Sequence, residues 1–409
     1  MTEARIPDGT HVFTSVAANY LPKARVLARS VRRWHPGATF HLVLVEDWPA
    51  DLDPANEPFD RIHTVSDFAA AGLADGVMPN GIKPWLFIHT LVEASTAVKG
   101  FAVDRLLAEE GCRRVLYFDP DIALFGPLDP LVEALERHDL ILTPHACEPE
   151  EDLQAIRDNE LVAMCHGIYN LGFVGVANRP EGRRFGAWWR HRLEHFCFDD
   201  VPHGLFTDQR WLDHAPAYFP TLGIVRHPGC NVSTWNLTHR RVEGSFEDGF
   251  KVNGEPLVFY HFSGFDSGAQ RTMLDAYGRQ QPALEILRDW YIRSCEAEGQ
   301  ARESARAWPY GAYDDGVPVT RAERTFLRHH PDVAQTFADP FRATDPERSY
   351  RHWYARHTAP ATPPNAVPPN PGPADATDAL RARIAELEGE VARLRGAGWL
   401  APVRRLLGS

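Results

Sequence analysis

The sequence predicts an α/β protein built on an open, mostly parallel sheet flanked by helices. Three observations point there. Apolar, strand-like runs alternate with helix-periodic stretches from residue 11 onward. The run Val115-Leu116-Tyr117-Phe118 is apolar without alternation, the mark of a strand covered on both faces. It ends in two carboxylates, Asp119 and Asp121, at the place where open α/β sheets bind ligands.

The elements follow in chain order. Residues 11–16 read as the first buried strand. Asn19 is placed as the cap of a helix over 20–34, where Leu21, Ala24, Leu27, Ala28 and Val31 fall at helical spacing. A second strand spans 40–45, and strand, helix and strand in this order make a right-handed βαβ unit. No glycine-rich loop separates the first strand from its helix, which argues against a dinucleotide fold or a P-loop. Residues 48–80 read as loop-rich. Ile82-Lys83-Pro84-Trp85 opens an apolar helical stretch, and a helix over 101–109 delivers the chain to the strand at 115–118. An apolar segment at 122–125, a Gly126-Pro127 turn, a helix over 128–137 and a strand over 139–143 come next. Residues 150–165 read as helix, and 168–176 as a strand holding Asn170 in an apolar run. Pro180 opens a helix through Leu193, with Trp188 and Trp189 taken as core. Thr207 is placed as the cap of a short helix begun by Asp208. A hairpin is expected around Asn253-Gly254, between 250–252 and 257–260, with His261 at the end of its second strand.

This organisation gives an α/β domain over 1–268 and a helical extension over 269–357 that shapes the acceptor side. A Pro-rich linker over 358–374, a short coiled coil over 375–396 and a basic amphipathic tail over 397–409 follow. Leu380, Ile384, Leu387, Val391 and Leu394 are spaced 4, 3, 4, 3, a seam suited to homo-oligomer or partner contact through 380–394. The tail suits peripheral contact with an anionic membrane surface.

Composition narrows the function classes. With 43 Lys and Arg against 55 Asp and Glu, the net charge of −12 argues against a dedicated nucleic-acid binder. Six cysteines without a CxxC pair suggest neither a zinc site nor a disulfide framework, and fit a reducing cytoplasm. Residues 1–9 carry no secretory signal, and no apolar run approaches the roughly 20 residues of a membrane span. A cytoplasmic protein, peripheral at most to the inner membrane face, is expected.

The carboxylate pair carries the chemistry. Strand alternation sends Asp119 and Asp121 to one side. Pro120 fixes its own φ and pushes Asp119 towards extended backbone. Two buried carboxylates this close need a proton or a cation between them. A hard divalent cation with oxygen ligands suits the pair and also binds phosphates. The bland alternative is a solvated turn, with one Asp capping the next helix.

The run Tyr117-Phe118-Asp119-Pro120-Asp121-Ile122 resembles the metal-binding DxD of nucleotide-sugar glycosyltransferases with the GT-A fold. More narrowly, it resembles the retaining group that includes bacterial lipopolysaccharide galactosyltransferases and glycogenin, over about residues 10–265. The resemblance implies a GT-A (Rossmann-like) mixed, mostly parallel sheet and a nucleotide-diphosphate sugar donor, with UDP as the nucleotide. It also implies Mn²⁺ or Mg²⁺ held by Asp119, Asp121 and His261, and transfer with retention. It places Thr14, Ser15, Asn19 and Tyr20 at the base and ribose, and Lys99 facing the donor. Asn170, before Gly172, would contact the donor sugar. Asp208 and Gln209 would lie under the anomeric carbon, and Gly264 would let backbone approach the diphosphate. The chain departs from the pattern after Gly264. Phe265-Asp266-Ser267-Gly268 stands where the family often has a phosphate-binding Lys, so Lys99 and Arg271 both remain as cations for the phosphates. Trp235, flanked by Asn231 and Asn236, suits sugar contacts. The acceptor, whether a glycan, lipid-linked or protein, is open. Two other readings are an Asp-based DxD phosphatase and a non-catalytic coiled-coil scaffold. Ala123, where phosphatases carry Thr or Val, disfavours the first. The intact carboxylates and His261 disfavour the second.

Overall fold

Long apolar runs set the sheet. The structure, a computed structural model, describes residues 9–358. The expected coiled coil and tail, and the linker beyond Thr358, lie outside the described residues. The strands are β1 (Thr10–Val16), β2 (Thr39–Leu44), β3 (Arg61–Thr64), β4 (Arg114–Phe118), β5 (Ile122–Leu124), β6 (Leu140–Pro144) and β7 (Tyr169–Ala177). Then come β8 (Asp199–Asp200), β9 (Leu205–Phe206), β10 (Leu222–Ile224), β11 (Val242–Ser245), β12 (Gly249–Val252), β13 (Glu255–Pro256) and β14 (Phe259–His261). Seven form one sheet in the order β10-β6-β7-β4-β1-β2-β3. Only β7 runs antiparallel to its neighbours β4 and β6, so the sheet is mixed and mostly parallel, as expected.

The central strand β4 is buried on both faces, which explains its unbroken apolar run. Val115 and Tyr117 join the cluster formed with helices Leu91–Leu107 and Pro180–Phe196. Leu116 and Phe118 join the opposite cluster with helices Leu21–Trp34 and Asp129–Arg137. Each such side chain contributes about 2 kcal/mol through removal from water. The extension after residue 269 is helical and packs onto the sheet domain. Trp308 donates to the Val45 carbonyl, Arg324 to the Phe87 and His89 carbonyls, and Arg328 pairs with Glu93. No helix among the described residues is long and apolar enough to cross a membrane.

Several local expectations are sharpened or corrected. Residues 48–80 contain β3 and a helix, Val65–Ala70, started by a Thr64–Asp67 capping box. The helix before β4 begins at Leu91, not at 101, behind a Thr90–Glu93 capping box. It is buried on most faces and so lacks the stripe that would mark its start. Lys99 therefore stands mid-helix. Asn19 does not cap the first helix: it lies in a 3₁₀ turn, Ala18–Tyr20, and Tyr20 precedes the α-helix. Residues 153–166 are helical, as expected, with a π-helical turn at Ile156–Glu160 between two α segments. The hairpin forms at Asn253-Gly254, both with positive φ, but its second arm is only the two-residue β13, while β12 pairs on its other side with β11. The chain then leaves, and β14 runs antiparallel to β5 instead, with His261 opposite Ile122.

Candidate metal and donor site

The β5–β14 pairing joins the site. His261 enters beside Asp121, one residue before its register partner Ile122. Its Nε2 stands 3.0 Å from Asp121 Oδ1 and 3.8 Å from Asp119 Oδ2. One ligand atom from each of Asp119, Asp121 and His261 lies within 4.8 Å of the others. The ring's other nitrogen, Nδ1, is 3.2 Å from Asn170 Oδ1. An Nδ1–H donating there leaves the Nε2 lone pair facing both carboxylates, the tautomer a metal ligand needs. Two carboxylates and one imidazole so held fit a divalent cation.

Asn170 is itself anchored. Its Oδ1 accepts from Asn231 Nδ2 at 2.9 Å and from the Gly172 amide at 3.1 Å. Asn231 also donates to Thr143, and Asn236 donates to the Asn231 and His145 carbonyls. Both amides are buried, so they brace Asn170 instead of presenting themselves to a sugar. Trp235 sits edge-on to the His261 ring. Gly172 explains the Asn-Leu-Gly spacing. A Cβ there would lie 2.4 Å from His261 Cε1 and 2.7 Å from Asn170 Oδ1. Gly172→Ala is expected to push the imidazole off the carboxylates and weaken Mn²⁺ binding roughly 10–100-fold. Isothermal titration reads this directly, and unchanged affinity would mean His261 is not a ligand.

Lys99 lies behind the carboxylates. Its Nζ donates to Asp208 Oδ2 at 2.9 Å, to Asp119 Oδ1 at 3.2 Å and to the Leu171 carbonyl at 3.2 Å. Burial alone would push Lys99 down, but Asp119 and Asp208 hold it well above the ordinary lysine range. Burial pushes Asp208 up, against the pull of Lys99. Thr207 does not cap a helix; at φ +43 its hydroxyl donates to Asp208 Oδ1 at 3.1 Å. Gln209 accepts from the Leu171 amide and donates to the His166 carbonyl, so it fixes the strand that carries Asn170.

A cavity of about 320 Å³ opens beside the pair. Ser15, Asn19, Tyr20, Ser95, Lys99, Tyr117, Asp119 and Asp121 are among its lining residues. The Asn19 Oδ1 is buried without a hydrogen-bond partner. Larger hollows lie elsewhere, one of about 630 Å³ beside Trp34 and Trp290, but Asp119 and Asp121 line none of them. Thr14 is fully buried on the other face of β1 from Ser15 and does not line the cavity. Gly264, at φ +73, forms the turn after His261 and is not a lining residue. Arg271 is not brought in either: its guanidinium pairs with Asp275 at 2.8 Å and Glu285 at 2.9 Å.

Two residues of the site escaped the sequence reading. Tyr117 donates to Asp119 Oδ1, and its position two residues before Asp119 on one strand face was the available signal. Lys23, one helical turn after Tyr20, is buried and pairs with Asp266, which also accepts from the Tyr20 hydroxyl at 2.7 Å. A lysine beside an apolar helix stripe was its only mark.

Burial alone would lower His261, but Asp121 and then Asp119 outweigh it and hold the imidazole above the usual histidine value. The cation needs the neutral ring. Mn²⁺ affinity is therefore expected to be complete above this raised value. Below it, affinity should fall about tenfold per pH unit, starting at a higher pH than for a free histidine. Titrations between about pH 6 and pH 8.5 check the sign; affinity that rises on acidification would contradict it.

No family model matches the chain. Two curated relatives are uncharacterized proteins of Bacillus subtilis (strain 168). YfnF is 30% identical over 161 residues, 37% of this chain and 50% of that protein. YfnD is 34% identical over 101 residues, 24% of this chain and 32% of that protein. The chain thus spans half or less of the curated relatives it matches. Among solved structures, the galactosyltransferase LgtC with donor and acceptor sugar analogs is 16% identical at a TM-score of 0.35, covering 62% of this chain and 87% of that one. Mouse xyloside xylosyltransferase 1 in its apo form is 16% identical at 0.38, covering 63% and 98%. Identities and TM-scores this low leave the chemistry of those proteins their own.

Proposed function

We propose that the chain is a metal-dependent glycosyltransferase that moves a sugar from a nucleotide-diphosphate sugar, UDP-linked, to an acceptor whose identity is open. The observation that carries this is the convergence of Asp119, Asp121 and His261, of which the two carboxylates line a cavity between β1, β4 and the helix Leu91–Leu107. The donor set supports Mn²⁺ or Mg²⁺, which when bound would offset charge developing on the departing diphosphate. Asn19, Ser15 and Tyr20 line one wall of the cavity, where the nucleotide would sit. Lys99 holds Asp119 in place and adds positive potential at the cavity floor. Asn170 and Gln209 act as positioning residues through His261 and the strand β7. Both Asp208 oxygens are engaged, by Lys99 and Thr207, which favours departure and attack on one sugar face over a covalent intermediate. Retention follows from that reading.

A thermal-shift screen of nucleotide sugars with and without Mn²⁺ tests this, because a ligand of the folded state raises the melting temperature. A UDP-sugar should raise it only when Mn²⁺ is present. Hydrolysis of phosphate monoesters, with no nucleotide sugar shifting the melt, would sink the reading.

A further inference from the structure

A second group of metal-type ligands lies nearer the amino ends of the same parallel strands. His11, His41 and His63 stand on β1, β2 and β3, three neighbouring strands, and Glu109 follows the helix Leu91–Leu107. His11 Nδ1 is 2.9 Å from His41 Nε2, and Glu109 Oε2 is 3.7 Å from His11 Nδ1. Ligand atoms of His11, His41 and Glu109 all lie within 4.8 Å of one another. Both imidazoles are buried, while Glu109 is partly exposed and leaves a path to solvent.

The geometry points to a zinc-type site formed by His11, His41 and Glu109, separate from the donor site. Zinc–ligand bonds of about 2.0–2.2 Å in a tetrahedron place ligand atoms roughly 3.3–3.5 Å apart. The observed 2.9 and 3.7 Å bracket that spacing, and the third pair, His41 with Glu109, lies within 4.8 Å. Two imidazoles with one carboxylate select Zn²⁺, where the oxygen-rich Asp119–Asp121 pair selects Mg²⁺ or Mn²⁺. Three protein ligands leave a fourth position for water. The outer support is present: His41 Nδ1 is 3.0 Å from His63 Nε2. An Nδ1–H donated there turns the His41 Nε2 lone pair towards the site. His11 would bind through Nδ1 with its proton on Nε2, a change of tautomer with no net proton release. Arg61 donates to the same Glu109 oxygen at 3.2 Å, but its side chain is 56% exposed and can turn to solvent at little cost. A neutral histidine ladder, with rings 5.1 and 5.3 Å apart and Glu109 serving only Arg61, is the competing account.

The test is Zn²⁺ stoichiometry of the full chain after equilibrium dialysis, measured in the Asp121→Ala background so that the donor site does not contribute. One equivalent should remain there. Adding Glu109→Gln, or separately His11→Gln, should remove it, with the circular dichroism spectrum unchanged. Co²⁺ taken up in place of zinc should give the strong absorption of a tetrahedral site, lost with Glu109→Gln. If Asp121→Ala retains no zinc, or if its zinc survives both substitutions, the site does not exist. Glu109→Gln alone should leave the Mn²⁺-dependent shift by UDP-sugars unchanged, so the two sites fail or stand separately.

Discussion

Asp121→Ala is expected to lower metal-dependent donor turnover by roughly a thousandfold while leaving the fold intact. Asp121 makes the shortest approach to His261 Nε2, 3.0 Å, and faces the cavity. Its carboxyl is held below the usual range because His261, and then Lys23, outweigh the burial that pushes it up. It is therefore ionised and available as a ligand at neutral pH. Alanine removes one of three protein ligands and leaves His261 without its nearest counter-charge. His261→Ala should act similarly. Asp119→Ala should cost more in stability, since Asp119 also receives Lys99 and Tyr117. Turnover of UDP-sugars with Mn²⁺, alongside a circular dichroism spectrum, checks all three. Turnover retained in all of them would remove the proposed metal site.

Lys99→Met is expected to destabilise the protein by about 3–5 kcal/mol, because it strands two carboxylates that the lysine now joins. Asp208 is 2% exposed and sits 2.9 Å from the ammonium, so its charge has no route to water. The pH dependence has a definite sign. Burial already pushes Asp208 up, and without Lys99 it rises further. The loss should be largest at neutral and higher pH and should shrink on acidification, as Asp208 takes a proton and its buried charge disappears. Lys99→Met with Asp208→Asn removes cation and anion together and should recover much of the stability. Urea denaturation of the parent, both single variants and the double variant reads the coupling. A Lys99→Met single variant within about 1 kcal/mol of the parent would show that the lysine compensates nothing.

Much of the sheet was legible because burial leaves a trace in composition. The strands at β1, β2, β4, β6 and β7 are apolar in long runs, and β1 and β2 pair in parallel as their βαβ connection requires, whereas the antiparallel insertion of β7 between β4 and β6 had no local signal. The short strand β3, Arg-Ile-His-Thr, carries little apolar signal and was hidden in apparent loop. The helix Leu91–Leu107 was half recognised, since an element buried on several faces has no stripe to read. Asn19, Tyr20, Ser15 and Lys99 do meet the carboxylates at one cavity, whereas Arg271 is held by its own acidic neighbours and Thr14 faces away. Lys23 came unannounced, because a single lysine in a helix looks solvated until the packing around it is known.

By itself the sequence determined the class of the fold, the strand that ends in Asp119 and Asp121, and their common side, because alternation and apolar burial are local properties. Only the tertiary structure decided which distant groups join them. His261 arrives because β14 abandons its hairpin for β5, and Gly172 leaves room for the ring. Lys99 and Asp208 meet across 109 residues of chain. Contacts at such separations are chosen by how elements pack, and packing is a property of the whole core, which no short stretch of residues contains.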